Sequence, residues 1–349
     1  MIRLTLRQFR TEAIVGFGAL AALAVVVAVT GVNLAQVNAA FQAGCTATGT
    51  CTSSVNPIIR DDAGLHTLLA LVAIVAPASI GLFLGAPLVA GELETGTFRL
   101  AWTQSVTRRR WIAVKLALVG LAALVISGLL TVMVDWWQGP FDAASQDIFN
   151  PLPFGFHGIV PIGYTAFAFA LGVTAGVVLR RTVAAMGATL VGFVAARIVV
   201  TTWIRPNLAA PLHESLPLVT ARPVIGVQAP AGTLSLIAPQ LNIPNVWVYG
   251  AAVVDKSGHP FTGHLLDACP ALGQLPNVPP GPVIQACLVR LSATFHTAVT
   301  YQPASRFWPF QLAETSIFLA AALALCGLAY WWLRRRYGWR GRGRGCSWR

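Results

Sequence analysis

The chain has 349 residues, is 56% hydrophobic and only 10% charged, and has a mean hydropathy of +0.67. Soluble domains carry roughly 25% charged residues, and a core of this size cannot hide so much apolar surface in water, so the natural solvent is a bilayer. The net charge of +12 comes from 22 Arg and 2 Lys set against 12 acids; in a soluble chain it would suggest nucleic acid, but here the placement of the charges decides.

Reading from the N-terminus, residues 1–12 carry Arg3, Arg7 and Arg10 ahead of a first apolar run at 13–32. Val37, Asn38 and Ala39 resemble a cleavage site, yet a 20-residue run exceeds the 7–15 residues of a signal peptide, so it reads as a membrane helix. Further runs of about 20 apolar residues lie at 65–90, 112–134, 159–179, 183–204 and 315–333. As helices, all six close their own backbone hydrogen bonds, which hydrocarbon demands. The expected fold is an all-α polytopic membrane protein with six transmembrane helices and both termini on one side.

The second span holds Pro77 mid-run, which removes a backbone bond and favours a kink, and the pair Gly81 and Gly85. Gly172 and Gly176 repeat that small-residue spacing in the fourth span. Both pairs allow close helix approach. Between spans two and three stands "GELETGTFRLAWTQSVTRRRW", residues 91–111. Phe98, Trp102 and Val106 recur at i, i+4 and i+8 and form one apolar stripe of a short helix. Glu92 and Glu94 are expected at its start, where the helix dipole favours acids, and Arg108, Arg109 and Arg110 close it. Such a helix needs a partner, either the membrane interface or another protein.

Residues 205–309 form a proline-rich segment expected as a mixed-structure cap between spans five and six. The chain thus divides into 1–204, 205–309 and 310–349. Within the cap, 245–255 reads as a strand and 283–299 shows helical spacing. Arg197 sits about two turns from the end of the fifth span and can snorkel outward.

Sidedness follows from counting Arg and Lys. The side with both termini, the 91–111 connection and the Arg180–Arg181 turn holds 17 of the 24 basic residues and only Glu12, Glu92 and Glu94 as acids. That side is expected to be cytoplasmic. The arginine-rich tail after Leu333 then meets anionic headgroups rather than nucleic acid. On the oxidising side lie two close cysteine pairs, Cys45 with Cys51 and Cys269 with Cys287, the candidate disulfides.

Chemistry is scarce. The nearest approach to a phosphate-binding G-x-x-x-x-G-K-[ST] is Gly250 to Ser257, where Asp255 replaces the second glycine. The histidines lack ligand spacing, so no metal site and no catalytic residue are expected. The spans show no midplane acid of the kind proton-driven carriers use.

The stretch "GELETGTFRLAWTQSVTRRRWIAVK" closely resembles the connection between helices 2 and 3 in permease subunits of ABC-2 type transporters. That family pattern is G-E-x-E-x-G-T, then T-Q-x-V-[ST]-R and a helix-3 lysine, here Lys115. Residues 158–197 and 301–314 resemble stretches of actinobacterial members. The resemblance implies a bacterial plasma-membrane permease, paired as a homodimer or heterodimer, with a separate ATPase on the cytoplasmic face. ATP and Mg would be held by that ATPase, and no cofactor by this chain. It also implies that residues 1–12 form an interfacial helix. Glu92, Glu94, Gly96, Thr97, Gln104, Arg108, Arg109 and Arg110 would form or flank the ATPase contact. The segment before the sixth span departs from the short re-entrant loop of better-known exporters. Two rival classes are a secondary transporter, which needs a midplane ionisable group, and a membrane-anchored binding or sensor protein working through residues 205–309.

Overall fold

The computed structural model describes residues 9–48, 62–96, 108–145, 147–218, 224–228, 233–237, 245–260, 269 and 281–338. Six helical stretches among them are long and apolar enough to cross a membrane. The chain divides into two units: a helical one (1–145, 151–208 and 308–349) and a smaller one (146–150 and 209–307).

In the helical unit, α1 runs Arg10–Thr48. The second span is composite: α2 (Ala63–Ile80), a π-turn (Gly81–Gly85) and α3 (Ala86–Thr95). Next come α4 (Arg108–Ser145), a helical turn at Pro151–Phe154, α5 (Val160–Leu179) and α6 (Thr182–Val199). A second π-turn, Val200–Ile204, and a 3-10 turn, Arg205–Asn207, prolong α6. The last span is a single long helix that enters from the smaller unit at Phe307.

Several helices outrun the hydropathy reading because hydropathy marks only the apolar middle of a span. The first span continues 16 residues past Val32 to Thr48. The last begins at Phe307, whose Trp308-Pro309-Phe310 turn tolerates proline because first-turn amides need no partner.

All spans are apolar on every side, a pattern that means a core or a bilayer. Burial separates the two: two thirds of the α5 window is buried inside the unit, against 6% for α1. The core is therefore built around α5. Phe169, Val173 and Val177 of α5 meet Val89 of α3, Val119 of α4 and Ala329 of the last span. A second cluster joins α1 (Val27, Leu34), α2 (Leu69) and α4 (Trp137, Phe141).

The smaller unit is mixed. Strands β1 (Leu212–Pro217), β5 (Phe295–Gln302) and β4 (Trp247–Asp255) form an antiparallel sheet in the order β1-β5-β4, and β2 (Val224–Gln228) pairs with β3 (Thr233–Ile237). The expected strand at 245–255 is β4. The helical pattern at 283–299 is only half realised: α7 spans Gly281–Leu291, and 295–302 is strand. Thr297, Val299 and Gln302 are buried while their neighbours are not, and pairing on both sides overrides the helical spacing. Cys269 and Cys287 form a disulfide across an 18-residue loop, fixing α7 to the segment before it. Cys51 and the side chain of Cys45 lie outside the described residues.

The final helix, Phe307–Gly338, is α8.

Candidate functional site

The bundle has two polar ends. At the first, the basic end, α3 finishes at Gly96, whose φ of +75° favours glycine and stops the helix. Glu92 and Glu94 thus sit in the last turn of α3, not at the start of a following helix. This corrects the expected placement and raises a physical problem, since the exposed carbonyls of a helix C-terminus repel acids. Two other elements resolve it.

Lys115 of α4, 4% exposed, forms an ion pair with Glu92. Glu94 reaches α6: its Oε2 accepts from the Thr182 amide at 3.0 Å and from the Thr182 hydroxyl at 2.8 Å. Arg181, at the N-cap of α6, supplies no side-chain cap of its own, so Glu94 serves as that cap in trans. The acids on either side of Leu93 therefore fasten α3 to two different spans.

Above them runs a seam of small residues. A Cβ on Gly81 would lie 2.7 Å from the Ala168 carbonyl oxygen, and one on Gly176 would lie 2.8 Å from that of Ala86. Gly85 and Gly172 face each other across the same contact. The four glycines singled out by spacing thus form one continuous α2–α3/α5 interface. Pro77 is one turn before the π-turn, where Ala86 N–H bonds to Gly81 O. The fault in this span is a change of helical register, which matches the known association of π-turns with functional helices.

The opposite end is denser. Glu314 and Arg205 are both fully buried, with Arg205 Nε 2.7 Å from Glu314 Oε2 and Nη2 2.9 Å from Oε1. The Tyr164 hydroxyl donates to the same carboxylate, and Arg205 Nη1 donates to the Pro151 carbonyl at 3.1 Å. Arg197 leans toward this end as expected, though onto protein rather than solvent: its guanidinium lies 4.0 Å over the Tyr164 ring and beside Gly155 in the turn before α5. Beside this network, Gln311 of α8 ties down the turn before α5. Its Oε1 accepts from the Ile159 and Val160 amides and its Nε2 donates to the Phe154 and His157 carbonyls.

A family model described as ABC-2 membrane transporter related matches residues 17–205, more than half of the chain. The chain belongs to that family. No curated protein and no solved structure matches it. The match begins in α1 and ends at Arg205, so it takes in five spans, the glycine seam, Glu92, Glu94 and Lys115.

This ABC-2 chain is accordingly a multi-pass membrane protein and a transporter permease. Of the residues expected to meet an ATPase, Glu92, Glu94 and Gly96 are described and stand together at the end of α3. Thr97, Phe98, Trp102 and Gln104 lie outside the described residues. Arg108, Arg109 and Arg110 open α4, though their side chains also lie outside that set. Among the described residues no group of three or more His, Cys, Asp or Glu side chains is arranged to hold a metal ion. Sequence reading missed the Arg205–Glu314–Tyr164 network. Its one available signal was an acid in the opening turns of an apolar span, which requires a buried partner.

Proposed function

We propose that this permease is the membrane half of an ATP-driven exporter, with its basic end in the cytoplasm and a separate ATPase docked on residues 91–111. ATP and Mg belong to that partner, and two permeases pair to form the pathway. On this reading both termini face the cytoplasm, as the positive-inside rule expects.

The observation that carries this reading is the double anchoring of α3. Glu92 is held by α4 and Glu94 by the N-terminus of α6. A displacement of the 91–111 connection is therefore delivered to two spans at once, and the glycine seam passes it to α5 with little intervening side chain to absorb it. Rigid-element transitions of this kind need such stiff joints.

The test is co-expression with an ATPase encoded beside the permease, scored by co-purification and by ATP hydrolysis in nanodiscs. Trp102→Glu and Arg109→Glu are expected to lower ATPase binding about tenfold or more, as for central aromatic and arginine anchors of an interface, while the permease remains monodisperse. Absence of any co-purifying ATPase, or variants that bind and stimulate like the parent, overturns the proposal.

A further inference from the structure

His157 stands in the turn that leads into α5 and is 6% exposed. Its two ring nitrogens face two carboxylates of α4. Nδ1 is 2.8 Å from Asp135 Oδ1, and Nε2 is 3.5 Å from Asp142 Oδ1. Asp135 is committed as an acceptor on its other oxygen too, which takes the Gly158 amide at 3.1 Å. The Nε2 atom is buried and makes no hydrogen bond.

A neutral imidazole has one N–H. With that hydrogen given to Asp135, Nε2 presents a lone pair to Asp142, and two acceptors face each other at 3.5 Å. Buried polar atoms without partners are rare in folded proteins and call for an explanation. One added proton, carried on Nε2, turns the repulsive contact into a hydrogen bond.

The surroundings suit that proton. The Asp135 and Asp142 side chains are 36% and 24% exposed, so it has a route in and out. From α2, His66 stacks on Phe141 at 4.5 Å and lies within electrostatic reach of His157. From α8 the facing side chain is the neutral Gln311, which binds the His157 carbonyl. Phe156 lies 4.6 Å from the imidazole. Among the described residues, no Lys or Arg pairs with either aspartate to take the proton's place.

We propose that His157, Asp135 and Asp142 form a proton-binding site whose occupancy controls how tightly the C-terminal turns of α4 grip the turn before α5. With the proton bound, His157 bridges both carboxylates. Without it, only the Asp135 half of the bridge remains. Because Gln311 holds the same turn from α8, the site acts on the joint between three spans. The site is independent of any ATPase contact, and its failure leaves that reading untouched.

The experiment uses the full chain, labelled with ¹⁵N-histidine and held in nanodiscs. The His157 ring signals are assigned as those lost in His157→Gln, and the pH is varied across the range where histidine exchanges protons, about 5 to 8. The expected result is a doubly protonated His157 ring in the acid part of that range. Asp142→Asn is expected to lower its proton affinity roughly tenfold or more, the effect of losing one carboxylate within 4–6 Å. Asp142→Glu, which keeps the charge, should restore most of that affinity and controls for misfolding. A His157 ring that stays singly protonated throughout overturns the proposal. So does an Asp142→Asn chain that titrates like the parent.

Discussion

The two ends of the helical bundle solve the same problem differently. At the basic end, two acids that disfavour their own helix terminus are rescued singly, one by a lysine and one by a helix N-terminus. At the opposite end, Glu314, Arg205 and Tyr164 form a buried network, tied to the Pro151 carbonyl, in which both charged groups have several partners. A single tie can be exchanged for another; a buried network that loses one member leaves charges stranded in low dielectric. The basic end is built for adjustable contact and the Arg205–Glu314–Tyr164 network for a fixed one.

The largest break in this contrast is Glu314→Gln. It strands the fully buried guanidinium of Arg205, and an expected loss of about 3–5 kcal/mol should be read from denaturant unfolding in detergent. The double variant Arg205→Met/Glu314→Leu should recover most of it, since it removes both charges. At the basic end Lys115→Met leaves Glu92 unpaired but 17% exposed, and the same measurement should show about 1–3 kcal/mol. Smallest of all is Glu94→Ala, because its carboxylate is exposed to solvent. Global stability should hardly move, while amide exchange at Thr182 accelerates as its cap is lost. If Glu94→Ala destabilised the fold as much as Glu314→Gln, the two ends would not differ as described.

Much of this was legible from residue types alone. Six spans follow from apolar runs, and the glycine pairs mark a close approach even before their partner is known. What local reading could not supply was pairing over distance. Arg205 and Glu314 are 109 positions apart, and Arg205 follows the apolar run, so it read as the start of the outer segment. Glu92 and Glu94 close α3 rather than open the next helix, because hydropathy falls before the helix does. Residues 295–299 belong to the helical pattern of 283–299, yet pairing with β4 and β1 makes them strand, since neighbours on both edges outweigh spacing along one chain.

The π-turn at Gly81–Gly85 gives this geometry a mechanical meaning. It holds one residue more than an α-helix would at that point, so α3 is phased about 100° around its axis and about 1.5 Å along it relative to a continuous α2. Glu92 meets Lys115, and Glu94 meets α6, only with that offset in place. The span behaves as a crankshaft: where the extra residue sits sets the angle at which α3 presents its two acids.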